Sequence, residues 1–225
     1  MAARATLAES VHAVPGEPAV CELAVENRAT AADMFTFAVD GEPARWTGVA
    51  PGRLQLGPGE RGVARLTCCV PRQPDPPAGA LVLRVDVMSR MERGRPVVAE
   101  TVLRIAPFVD ISAALGPPVS SGWRSGDHTV TVRNGGNTAV VARLSVDRAD
   151  ADLVVAVQPT TLAVQPGASA VSLVTATCRN RLTKGPEQRH AFVVRVQADG
   201  ARPVVLEGHM LQQPRGWLRG VPAGG

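Results

Sequence analysis

The chain has 225 residues, 45% hydrophobic and 20% charged, with a formal net charge of +4. That is enough for two domains of about 100 residues each, and too apolar for a disordered tail. Four Phe, three Trp and no Tyr leave few aromatic platforms for sugars or stacked bases, so the cores must be built from Val, Leu and Ala.

In chain order, the first half reads as strands over about 5–13, 18–26, 33–40, 44–49, 53–56, 60–70, 79–90 and 96–106. The second half reads as strands over about 109–115, 127–133, 138–147, 152–157, 161–164, 168–178, 190–199 and 203–212. The apolar period is two: Cys21, Leu23 and Val25 alternate with Glu22, Ala24 and Glu26, and Val130 and Val132 alternate with Thr129, Thr131 and Arg133. Pro15-Gly16, Asp40-Gly41, Pro51-Gly52, Pro58-Gly59, Asn134-Gly135-Gly136 and Pro166-Gly167 interrupt every candidate helix and space the strands as in a sandwich.

The two halves repeat one another. Val25-Glu26-Asn27 answers Val132-Arg133-Asn134, and Leu54-Gln55-Leu56-Gly57-Pro58-Gly59 answers Leu162-Ala163-Val164-Gln165-Pro166-Gly167. Leu83-Arg84-Val85 answers Val194-Arg195-Val196, and Val97-Val98 answers Val204-Val205. The expected organisation is all-β: two tandem immunoglobulin-like β-sandwiches, 1–107 and 108–213, followed by a Pro/Gly-rich tail, 214–225. Pro107 with almost no linker predicts a semi-rigid pair of domains.

The Val-x-Asn turn and the Leu-x-Leu-x-Pro-Gly approach to a long strand resemble bacterial immunoglobulin-like modules of the cell-adhesion-related and alpha-galactosidase-associated kind. The resemblance covers both repeats. It implies that Asn27, Asn134, Pro58-Gly59 and Pro166-Gly167 are fold residues. Actinobacterial chains of this kind are sometimes labelled hydrolytic proteins, and some occur alongside phage-tail-like contractile injection particles.

No catalytic constellation is legible. There is no Gly-x-Ser-x-Gly elbow, phosphate loop or His-Glu-x-x-His helix, and His12, His128, His190 and His209 are read as solvent-facing or packing residues. Cys68 is expected to face the core and Cys69 the solvent. A Cys21 to Cys68 disulfide is geometrically conceivable, but directly paired strands rarely offer bridge geometry, so buried free thiols are expected. Asp147, Asp150 and Asp152 have calcium-ligand chemistry but no turning glycine or closing Glu, and are read as a solvated turn. No cofactor, metal, nucleic acid or membrane partner is expected, nor a small-molecule substrate.

Residues 1–108 carry 12 Arg against 12 acidic residues, and 109–225 carry 12 basic against 8 acidic. Arg179, Arg181, Lys184 and Arg189 around Glu187 are read as a basic loop that is either solvated or a dock for an acidic partner surface or phosphate. The arginine usage resembles high-GC coding bias and is not taken as a nucleic-acid footprint. Near the C-terminus Arg215, Trp217, Leu218 and Arg219 combine the residue types enriched among interface anchors, and are the predicted partner-binding residues. The alternative is a tail folded back on its own domain. The N-terminus has no apolar leader-like run, and cytoplasmic localisation is expected. The resulting functional expectation is a non-catalytic structural or adaptor protein bound to protein partners in a larger cytoplasmic assembly, a contractile injection particle being one setting. The alternatives are a carbohydrate- or surface-binding module and a hydrolase.

Overall fold

Strand after strand, the alternation of apolar and polar residues becomes an alternation of buried and exposed ones. The computed structural model describes residues 3–92 and 94–215. The chain is two tandem immunoglobulin-like β-sandwiches, and the described residues contain no α-helix. The contact pattern divides them between Phe108 and Val109.

The first unit contains β1 (Ala3–Thr6), β2 (Ser10–Ala13), β3 (Pro18–Asn27), β4 (Asp33–Asp40), β5 (Thr47–Ala50), β6 (Arg53–Leu56), β7 (Arg61–Cys69), β8 (Gly79–Ser89) and β9 (Val97–Ile105). One sheet has the order β1-β3-β7-β5 and the other β2-β9-β8-β4-β6. Their inner faces meet in a core where Leu23, Phe35, Leu66, Leu83, Val85 and Leu103 are fully or almost fully buried. Inward Cys21, Leu23 and Val25 alternate with exposed Glu22 and Ala24, as the pleat requires.

The single strand expected over 5–13 is two strands in two sheets. β1 pairs antiparallel with β3, while β2 pairs parallel with β9. Ala3, Val11 and Ala13 are buried, and Ala5 and Leu7 pack against the same core. The inward positions are thus odd-numbered on both sides of the switch, so the apolar period runs through it unbroken and hides it. The strand expected over 44–49 starts later, because Glu42–Arg45 forms a 3-10 turn with Pro43 in its first positions.

The second unit contains β10 (Ile111–Gly116), β11 (Val119–Gly122), β12 (Ser125–Asn134), β13 (Val140–Ala149), β14 (Leu153–Gln158), β15 (Thr161–Val164), β16 (Ser169–Cys178), β17 (Gln188–Ala198) and β18 (Val204–Gln212). Its sheets have the orders β10-β12-β16-β14 and β11-β18-β17-β13-β15. Val130, Val132, Val174, Phe192, Val194 and Met210 form the buried centre. β11 was not expected: Gly116-Pro117-Pro118 reads as a break, yet the chain resumes pairing parallel to β18 just beyond it.

Each unit is pinned by one buried asparagine. The Asn27 side-chain amide donates to the carbonyls of Ala31 (2.9 Å), Leu56 (3.0 Å) and Gly57 (3.1 Å), and its oxygen accepts the Ala29 N–H (2.9 Å). Asn134 likewise donates to Thr138 and Val164 and accepts from Gly136. The Pro-Gly turns close on the same residues: Gly59 and Gly167, at φ +70° and +72°, donate to the Asn27 and Asn134 carbonyls. Glycine adopts that left-handed conformation without a Cβ clash.

Each unit has its own core, so we expect fragments 1–108 and 109–225 each to give β-sheet circular dichroism and a cooperative melt. If neither fragment folds alone, the two halves are one cooperative structure.

Candidate functional site

Three segments of the second unit meet at one end of its sandwich: the β11 to β12 turn, the loop after β16, and the segment that follows β18. Gln212 joins them, its amide nitrogen donating to the carbonyls of Asn180 (2.8 Å) and Trp123 (3.3 Å). Its amide oxygen lies 3.3 Å from His190 Nε2. The Gln213 N–H donates to Gly122, and the Arg215 N–H donates to Leu182 at 3.2 Å. The half-buried Trp123 indole carries two guanidinium groups, with Arg215 Cζ 5.3 Å and Arg181 Cζ 5.7 Å from the ring centroid. Contacts of this kind contribute about 0.5–1 kcal/mol at exposed sites.

This end is basic. Arg124, Arg179, Arg181, Lys184, Arg189 and Arg215 are exposed on the three segments and the start of β17. Glu187 is the acidic residue within the loop after β16, and Asp152 on the neighbouring loop accepts a hydrogen bond from Asn180. Of the residues predicted to bind a partner, Arg215 is thus placed beside the predicted basic loop. Trp217, Leu218 and Arg219 lie outside the described residues. Nothing in the sequence around Trp123 signals its role. The residues that meet it come from loops about 60 and 90 positions away along the chain.

His128 and Ser120 form a second polar cluster. His128 Nδ1 lies 2.6 Å from the Pro117 carbonyl and Nε2 lies 2.8 Å from Ser120 Oγ. A carbonyl only accepts, so Nδ1 carries the proton, and a neutral ring then receives the serine hydroxyl proton at Nε2. The distances resemble those of a Ser-His pair in a hydrolase, but the surroundings do not. His128 is buried, meets Phe192 edge-on at 4.9 Å, and Ser120 also contacts Met210 Sδ at 3.4 Å. A Cβ placed at Gly126 would collide with Ser120 Oγ and approach Met210 Sδ to 2.7 Å, which leaves no room for a substrate carbonyl beside the hydroxyl. The pair ties β11 onto β12.

The three aspartates of the acidic run are directed to different partners. Arg195 holds Asp147 through two hydrogen bonds of 3.2 and 2.8 Å and keeps its carboxyl below the usual carboxylate range. Asp150 accepts the Ala191 N–H and Asp152 accepts from Asn180. Cys21, Cys68 and Cys178 are buried free cysteines, and Cys69 is exposed. Burial, with Cys68 nearby, pushes the Cys21 thiol up to about 11, and burial also raises Cys68 and Cys178. These three are protonated at neutral pH and are weak nucleophiles.

Comparison with family models and with curated proteins finds no match. Solved structures similar to this chain include a protein of unknown function from Porphyromonas gingivalis W83, with 15% identity and TM-score 0.35, covering 94% of this chain and 100% of that one. The D00-D0 domain of intimin has 7% identity and TM-score 0.42, covering 93% and 100%. The periplasmic chaperone SfaE has 12% identity and TM-score 0.37, covering 94% and 100%.

Proposed function

We propose that the protein is a non-catalytic binding module, a structural or adaptor component of a larger cytoplasmic assembly. It engages an acidic protein surface through the basic end of the second unit. The observation that carries this reading is the pair of exposed arginines, Arg181 and Arg215, held over one indole by a segment hydrogen-bonded to two loops. Guanidinium groups positioned in this way lose less freedom on binding a carboxylate than unsupported side chains do. In sequence, Trp217, Leu218 and Arg219 follow Arg215 within four residues. The sequence directly after Arg215 therefore adds two large apolar side chains and a further positive charge. The contractile injection particle implied by the sequence resemblance is one setting that fits such a component.

The test separates binding from folding. Deleting 216–225 spares the Gln213 and Arg215 hydrogen bonds, and is expected to leave the melting temperature within about 2 °C while cutting co-purification with the native assembly at least about tenfold. Arg181→Glu with Arg215→Glu should weaken association by a similar factor and remove its salt dependence. If the deletion lowers the melt strongly and association survives, the tail is an intramolecular clasp and the reading is wrong.

A further inference from the structure

Sheet edges are where an extended chain can add a strand, and the edges of this protein are not equally protected. β1, β2, β5, β6, β11 and β15 have four residues each. β10 is longer, but its Leu115 reaches the position that a side chain at Gly208 on β18 would take, which draws that edge against the opposite sheet. β14 is the exception. Its six residues, Leu153-Val154-Val155-Ala156-Val157-Gln158, contain no charge, no proline and no bulge, the usual devices that keep an edge single.

The hydrogen-bond phase of this edge follows from its one described partner, β16. The Arg179 N–H donates to the Asp152 carbonyl at 2.7 Å, just before the register pair Leu153 with Cys178. Bonded and non-bonded pairs alternate along an antiparallel ladder. Val154, Ala156 and Gln158 therefore bond β16, while the backbone groups of Leu153, Val155 and Val157 point away from it. The Leu153 N–H is already donated to the Asp150 carbonyl. Five polar groups, the C=O of Leu153 and the N–H and C=O of Val155 and Val157, are left on the open edge. The side chains of these two valines face the core but are only half-buried, as expected where the next strand is missing.

We propose that β14 pairs with β14 of a second copy of this chain, antiparallel about a two-fold axis on Ala156. In that register Val155 faces Val157 of the partner and Val157 faces its Val155, so the N–H and C=O of both valines are satisfied on each strand, and only the terminal Leu153 carbonyl, opposite the partner's Pro159, gains no bond across the axis. Neighbouring registers instead leave a carbonyl of one of the two central valines unpaired. An axis on Val155 sets the Val157 carbonyl opposite the partner's Leu153, whose N–H is taken. An axis on Val157 sets the Val155 carbonyl opposite the partner's Pro159, which has no N–H. The Val-Ala-Val sequence is itself symmetric about the axis, brings two valine pairs together on the inner side, and leaves small exposed Ala156 at the closely spaced non-bonded position. No like charges oppose one another. The pairing joins two four-stranded sheets into one of eight strands and is independent of the basic end described above.

The experiment uses the full chain. Sedimentation equilibrium should show a reversible monomer-dimer transition. In a Cys69→Ser background, Ala156→Cys should form an intermolecular disulfide under mild oxidant at least about tenfold faster than Val154→Cys, because only position 156 meets its own copy across the axis. Ala156→Lys, on an exposed position outside the β16 interface core, should keep its β-sheet circular dichroism and raise the dimer dissociation constant at least about tenfold through like charges placed opposite. A monomer up to about 1 mM, equal crosslinking at 154 and 156, or a dimer unaffected by Ala156→Lys would each overturn the proposal.

Discussion

Asn27→Ala is expected to destabilise the first unit by about 3 kcal/mol or more, a loss of over about 10 °C in its melting temperature. Asn27 is fully buried and bonds three carbonyls and one N–H, and the alanine would remove all of these bonds, the one to the Leu56 carbonyl buried and the others partly buried. Each buried group stripped of its partner costs roughly 1–3 kcal/mol, and the backbone bonds of Asn27 to Glu60 and Gly59 would be retained, so the fold survives in weakened form. Asn134→Ala should act on the second unit in the same way. Native-state hydrogen exchange on the full chain locates the effect: protection should fall in the unit that carries the substitution and not in the other. Asn27→Asp adds a check on mechanism. A carboxylate there would face carbonyl oxygens, whereas its protonated form can donate to one of them. Its folded-state pKa is thus raised above the unfolded value, and the gap to the native protein should narrow as pH falls. A destabilisation under about 1 kcal/mol for Asn27→Ala would mean that water replaces the amide and that the turn does not depend on it.

That asparagine marks how far the sequence speaks. Val-x-Asn in both halves, and Leu-x-Leu-x-Pro-Gly in the first with Leu-x-Val-x-Pro-Gly in the second, are legible because each fixes a local requirement, a buried amide in a turn or a left-handed glycine, and the repetition shows the same unit twice. The inward and outward faces of β3, β7, β8 and β12 are legible because period two is imposed by the pleat itself. What pairs with what is not. The jump from β1 to β2 changes the hydrogen-bonding partner without changing the parity of Ala3, Ala5, Leu7, Val11 and Ala13, and β11 is hidden behind two prolines. The functional geometry is harder still. Arg181, Arg215 and Trp123 are individually unremarkable, and only the topology that returns β18 beside β11 brings them together. The open groups of β14 depend on the phase of its ladder with β16, which composition does not encode.

The other large effect is expected at a glycine that the sequence does not mark out. Gly208 lies directly opposite Phe192 on the neighbouring strand, and the fully buried Phe192 ring fills the space that a side chain at 208 would take. A methyl group there would come within 2.7 Å of both Phe192 Cε2 and Leu115 Cδ2. The ring has nowhere to retreat, since it also meets His128 edge-on, so Gly208→Ala should destabilise the second unit by about 3 kcal/mol, at the upper end for overpacking. Phe192→Ala should cost about 3–5 kcal/mol, because it leaves a cavity over a glycine that exposes backbone instead of filling it. Phe192→Leu alone should cost less, about 1–2 kcal/mol. Combined with Gly208→Ala it should cost at least about 1 kcal/mol less than the sum of the two single changes, because the shorter side chain makes room for the methyl. The ring covering the glycine is the sheet device in which an aromatic compensates for a missing side chain. Additive costs in the double-mutant cycle would show instead that Gly208→Ala acts through backbone strain, and that Phe192 is a core residue like any other.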